Sequence, residues 1–248
     1  MTKRIIACLD ISNNKVVKGT KFKNLRTVGC INKLAYKYYK EGADELVLLN
    51  ISKTKIKVIS KILTHISRQI FIPIIFGGNI QTLKDVKQLF KTGIDKICLN
   101  STLYYKPHLV KKIAQIYGAQ SLIASIDVKL INNNWLVYIN GGKDNTNIPV
   151  TTWVKKNLYR GVGEILLTSI DNDGKNTGYN IQLIRKITQS THLPVIASGG
   201  MGKPNDIISL FKNTNAAGAL LASYLHVKRN SLKSLKTILA NTIKIRNE

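Results

Sequence analysis

The sequence predicts an α/β fold, a (β/α)8 TIM barrel built from two half-barrel repeats. Three observations carry this. Short β-branched apolar runs alternate with helical patterns along the whole chain. The first half is echoed by the second at a nearly constant offset. Polar residues or glycine follow almost every apolar run.

Eight runs of strand length occur at 5–9, 45–51, 72–76, 96–100, 122–128, 164–169, 194–198 and 217–222. Helical periodicity lies between them, for example at 32–41, 82–91, 108–117, 152–160, 181–190 and 205–212. Continuously apolar strands separated by helices imply a parallel sheet covered on both faces. Eight such units without a break in composition favour closure into a barrel, and 248 residues is an ordinary length for one. The segment 130–148, rich in Asn and Gly, reads as an inserted hairpin over one face.

The repeat is explicit. IIACLDISNNKVVKG is echoed by LIASIDVKLINNNWLVYINGG, DELVLLNISKTK by GEILLTSIDNDGK, and IPIIFGGNIQTLKDVKQLFKTG by LPVIASGGMGKPNDIISLFKNT. The offsets are 117 from Asp10 to Asp127, 119 from Glu45 to Glu164 and 121 from Pro73 to Pro194. A period of half the chain means two half-barrels, about 1–118 and 119–248 of one domain, and excludes a solenoid of short repeats.

Hydrophobic content of 44% and charged content of 21% are ordinary for a soluble protein. No apolar stretch approaches the ~18 residues of a membrane span, and the opening MTKRIIACLD has too short an apolar run for a signal peptide. The expectation is a soluble, cytoplasmic protein. Cys8, Cys30 and Cys98 have no CxxC spacing, which fits reduced thiols. His65, His108, His192 and His226 are scattered, so no metal site is expected. Lys plus Arg number 38 against 13 Asp plus Glu, a formal charge of +25. The lysines are dispersed and no basic strip is interleaved with aromatics, which argues against a nucleic-acid surface. A basic surface still attracts a phosphorylated substrate.

Active sites of such barrels lie where strands end and βα-loops begin. Those positions hold Asp10, Asn50, Gly77-Gly78-Asn79, Asn100-Ser101, Asp127, the stretch from Ser169 to Gly174, Ser198-Gly199-Gly200 and Ala222-Ser223. Asp10 and Asp127 end the first and fifth strands, which face each other across a closed barrel. One such aspartate alone could cap a turn; a symmetry-related pair suits a general acid and a general base. The Gly-rich turns SGGMGK and FGGN let backbone N–H groups approach an anion. With ASYLH and NST they form two related cradles on opposite sides, as a substrate phosphorylated at both ends requires. The basic segment VVKGTKFKNLRTVG reads either as a mobile loop that brings Lys18 over the substrate or as a solvated loop.

On KRIIACLD, VVKGTKFKNLR, EGADELVLL, IDKICLNS, GEILLTSIDNDGKNTGY, LPVIASGGMGK and LLAS, the chain resembles the cyclase-subunit family of imidazole glycerol phosphate synthase over essentially its whole length. The resemblance implies a histidine-biosynthesis enzyme, a lyase/cyclase that uses ammonia without metal or organic cofactor. Its substrate would be a bis-phosphorylated formimino aminoimidazole carboxamide ribonucleotide, its products imidazole glycerol phosphate and aminoimidazole carboxamide ribotide. Asp10 would be the general base, Asp127 the general acid, and Lys18 would lie on the closing loop. Gly78, Asn100 and Ser101 would hold one phosphate; Gly174, Gly200, Ala222 and Ser223 the other. Asn50, Thr168, Ser169 and Asp173 would contact substrate. A glutaminase partner would supply ammonia at the opposite end, where Arg4, Glu45, Lys96 and Glu164 resemble a channel entrance and Asp95 would meet the partner. A structural salt-bridge ring is the simpler reading of those four, and both can hold.

Two residues depart from the family pattern. Asn50 stands where Asp is usual, and Asn79 where the third glycine of a GGG turn is usual. They suggest weakened catalysis of the same reaction. The alternatives are the sister isomerase of the same pathway, which shares the fold and both aspartates, and a catalytically decayed anion- or nucleic-acid-binding barrel. VVKG and TSIDNDG favour the cyclase over the isomerase.

Overall fold

A strand alternates its side chains between two faces, so in a closed barrel every second residue points inward. The computed structural model describes residues 2–20, 23–52, 54–226 and 231–246. Twelve strands follow in chain order: β1 (Arg4–Ser12), β2 (Lys15–Thr20), β3 (Lys23–Cys30), β4 (Glu45–Asn50), β5 (Ile74–Gly77), β6 (Lys96–Leu99), β7 (Leu122–Ile131), β8 (Asn134–Ile139), β9 (Asp144–Pro149), β10 (Glu164–Ser169), β11 (Val195–Ser198) and β12 (Gly218–Leu221). Eight of them run parallel in the order β1-β4-β5-β6-β7-β10-β11-β12. The β12–β1 pairing closes the ring with Arg4 opposite Gly218. Helices connect most of these strands, and the chain is a (β/α)8 barrel.

Alternation gives two separate cores. Ile6, Cys8, Val47, Ile75, Cys98, Ile123, Leu166, Ile196 and Leu220 fill the barrel interior. The opposite faces of the same strands, such as Ile5, Ala7 and Leu9 of β1, pack outward against helix residues including Tyr38, Leu63 and Leu89. Local signals set where helices begin. Thr82 and Asp85 form a capping box ahead of Leu83–Phe90, and Asn180 accepts from the Leu183 N–H at the start of Ile181–Ser190. No helix of the described residues is long and apolar enough to cross a membrane.

Two hairpins stand on the strand ends. β2 continues antiparallel from β1, pairing Asp10 with Val17 and Ser12 with Lys15, and β3 pairs with β2. In the second half β8 folds back on β7 and β9 on β8. Both first turns are Asn-Asn pairs in left-handed backbone, Asn13-Asn14 at φ 48° and 60° and Asn132-Asn133 at φ 45° and 60°. Two successive residues at positive φ match the right-handed twist of the flanking strands. The basic segment expected as a loop after the first strand is thus corrected to a strand pair, because its backbone groups bond to β1 and to each other. Lys21 and Phe22 of that segment lie outside the described residues.

Candidate active site

The inward positions change from apolar to polar at the strand ends. Asp10 of β1, Asp127 of β7 and Thr168 of β10 all line a cleft of about 670 Å³ above the inner core. The cleft runs from Gly78, Asn79, Asn100 and Ser101 on one side to Gly174, Gly199, Gly200, Ala222 and Ser223 on the other. Asp173, Lys18 and Asn50 also line it.

Lys18 sits on β2, not on a free loop. Its Nζ lies 3.2 Å from Asp10 Oδ2 and 3.3 Å from Asp173 Oδ1. Burial alone would lower the Lys18 pKa, but Asp10 and then Asp173 outweigh it and hold the ammonium charged beyond the usual lysine range. Asp127 behaves oppositely. Burial, then the negative charges of Asp173 and Asp10, push its carboxyl up to about 7. The side chain is buried. The Asn100 amide donates to its Oδ2 at 3.4 Å. The two strand-end carboxylates therefore differ: one is fixed by a cation, the other is poised to carry a proton near neutral pH.

Each cradle is built around glycine that no other residue could replace. A Cβ on Gly78, at φ 96°, would lie 2.1 Å from the Asn50 carbonyl oxygen, and one on Gly200, at φ 110°, would lie 2.0 Å from that of Gly178. Asn79, the repeat counterpart of Gly200, sits at φ 58°, within the left-handed region that asparagine tolerates. Its amide donates to the Thr54 carbonyl at 3.2 Å. Asn50 donates to the same oxygen at 2.8 Å.

Two expected contacts look different in place. Ser169 does not line the cleft: alternation along β10 turns it outward after inward Thr168, and its Oγ donates to Asn172 Oδ1 at 2.8 Å. Asn100 and Ser101 do line the cleft, but their side chains are already engaged. Asn100 Nδ2 donates to the Ser125 carbonyl at 3.1 Å, and Ser101 Oγ donates to Asn140 Oδ1 at 3.1 Å. Asn140 and Lys143, between β8 and β9, line the cleft as well and were not singled out by the sequence reading. The basic NGGK tip of the insertion was the available signal.

At the opposite end, Arg4, Glu45, Lys96 and Glu164 meet inside the barrel mouth. Arg4 lies 2.7 Å from Glu45 and 2.5 Å from Glu164, and Lys96 lies 2.8 Å from Glu164 and 3.8 Å from Glu45. Charges of alternating sign thus close a ring beneath the inner core. Asp95 is exposed beside it, and its Oδ2 accepts from the Ile74 N–H at 2.8 Å.

Fold and cleft together define a (β/α)8 barrel with two aspartates and two glycine-rich turns gathered at the C-terminal ends of its strands. The family model described as "Histidine biosynthesis protein" matches residues 4–231. The chain is 42% identical over 241 residues to the imidazole glycerol phosphate synthase subunit HisF of Dehalococcoides mccartyi, covering 96% of this chain and 95% of that one. It is 42% identical to the subunit of the same name from Natranaerobius thermophilus, covering 97% and 96%. For that of Methanocaldococcus jannaschii the identity is 40%, with 97% of each chain covered. The chain belongs to the histidine-biosynthesis protein family.

Proposed function

We propose that this chain is the cyclase subunit of imidazole glycerol phosphate synthase. The observation that carries the reading is the placement of Asp10 and Asp127 at the ends of opposite strands, in one cleft spanned by two glycine cradles. The names of the relatives support it. The cleft takes the bis-phosphorylated ribonucleotide lengthwise, with one phosphate at Gly78, Asn100 and Ser101 and the other at Gly174, Gly200, Ala222 and Ser223. Ammonia adds to the substrate, the chain is cleaved, and imidazole glycerol phosphate and aminoimidazole carboxamide ribotide leave.

Asp10, paired with the Lys18 ammonium, is the general base. Asp127 is the general acid, because a carboxyl group with a pKa near neutrality holds a proton that it can also release. Thr168, Asn50 and Asp173 face the substrate, and Asp173 also positions Lys18.

Ammonia comes from a glutaminase subunit docked over the ring of Arg4, Glu45, Lys96 and Glu164, with Asp95 at the contact. Between ring and cleft lies the apolar interior that runs from Ile6 to Leu220. An uncharged molecule crosses such a layer far more readily than an ion. The deciding experiment is turnover of the ribonucleotide with ammonium salt by the isolated chain. Formation of imidazole glycerol phosphate supports the cyclase; isomerisation of the preceding pathway intermediate points to the sister enzyme; no turnover leaves a binding barrel.

A further inference from the structure

The charges lining the cleft are unevenly distributed. Among the described residues they are Asp10, Asp127, Asp144 and Asp173 against Lys18 and Lys143. Lys18 is committed to two of those carboxylates. A substrate with two phosphates brings several more negative charges into a cleft that is already acidic. Some cation must offset them at the end remote from Lys18.

Lys143 is placed to do so. It lies at the tip between β8 and β9, and no ion pair engages it among the described residues. The tip is fastened to the first cradle: the Asn140 N–H donates to Ser101 Oγ at 3.0 Å, and the Ser101 hydroxyl donates back to Asn140 Oδ1. The Asn140 amide also engages the Asp144 carboxylate and, at 3.4 Å, the Tyr105 hydroxyl. The amide thus occupies the carboxylate on the same tip that would compete for Lys143.

The arrangement mirrors the other half of the barrel. There the β2–β3 hairpin seats on the second cradle, where a Cβ on Gly174 would lie 2.8 Å from the Gly19 carbonyl. Each cradle is therefore closed by the hairpin of the opposite half. The first cradle needs the help more. It has Asn79, tied to Thr54, where the second has Gly200, and the Asn100 amide is spent on the Ser125 carbonyl.

We propose that Lys143 is a phosphate-binding residue, supplying from the β8–β9 tip the positive charge that fixes the phosphate in the cradle of Gly78, Asn79 and Ser101. The proposal rests on the cyclase reading for the identity of the substrate, but not for the phosphate itself. A flexible ammonium suits this task as a point charge that follows the ligand.

The test is titration of the whole chain with inorganic phosphate, followed by calorimetry and by amide chemical shifts at both cradles. The wild type should respond at both. Lys143→Gln should weaken binding at Gly78 and Ser101 about tenfold or more, the effect of losing one hydrogen bond to a charged group. Its response at Gly200 and Ser223 should stay intact, and Lys143→Arg should restore the first cradle. Wild-type affinity at the first cradle in Lys143→Gln overturns the proposal. So does equal weakening at both ends, which would reflect net charge alone. If phosphate binding behaves as expected and wild type fails to turn over the ribonucleotide with ammonium, Lys143 stands and the cyclase reading falls.

Discussion

Asn50, at the end of β4, and Asn79, two residues past β5, donate to one acceptor, the Thr54 carbonyl, at 2.8 and 3.2 Å. The two departures from the family pattern are thus physically coupled through the Thr54 carbonyl.

Replacing Asn79 with Gly therefore has two expected effects. The backbone gains room to approach phosphate, and KM for the bis-phosphorylated substrate should fall. The link to Thr54 is lost and the unfolded chain becomes looser, so stability should drop by about 1 kcal/mol. Steady-state kinetics and urea denaturation read the two separately. A rise in KM would mean that the amide helps to hold the substrate.

Asp10→Asn and Asp127→Asn should each lower turnover by about 10²-fold or more at saturating ammonia, as expected for a lost general base or acid. Neither should unfold the protein. Near-full activity in either variant would remove that residue from its assigned role.

The raised pKa of Asp127 has a definite sign in stability. Its unfolded value is the ordinary 3.8, its folded value about 7. The buried carboxyl is comfortable when protonated, so its contribution is fully present below about pH 4 and is lost as pH rises to about 7. Asp127→Asn should then gain stability relative to wild type between pH 5 and pH 8, measurable by urea melts at the two values. A gap that is constant with pH would contradict the raised pKa. In kinetics at fixed free ammonia, Asp173→Asn should move the falling alkaline limb to lower pH, because one of the charges that holds the proton on Asp127 is gone.

Lys96→Ala should damage glutamine-dependent turnover of the two-subunit enzyme much more than turnover driven by ammonium salt at high pH. Lys96 bridges Glu45 and Glu164, both buried, so some loss of stability accompanies the change. Equal losses in both assays would leave the four charges with a structural role alone.

Much of the barrel was legible because its signals are local. The bounds of β10 follow from one apolar run between turn residues, and the internal echo pairs Asp10 with Asp127. What escaped depends on tertiary context. The segment around Lys18 carries too little apolar alternation to read as strands, yet β1 extends far enough beyond the barrel to template it. Ser169 looked like a site residue because polar residues at strand ends usually face inward; only the parity of β10 shows that it does not. The surroundings of Asp127 were likewise invisible, since Asn100, which donates to it, and Asp173, whose charge acts on it, are distant in sequence. The short helices Ser101–Tyr105 and Ser223–His226 follow their strands too closely for a periodic pattern to develop.

Asparagine in the turns acts on the disordered chain before folding begins. Nine asparagines are the non-glycine residues at positive φ among the described residues, and they include the first turns of both hairpins. Asparagine visits this conformation at modest strain, while glycine roams more widely and has more freedom to surrender on folding. Turns written in asparagine thus restrict the ensemble from which each hairpin must be selected. The covers of the two cradles are made stiff by what the unfolded polypeptide is denied as well as by what the folded one touches.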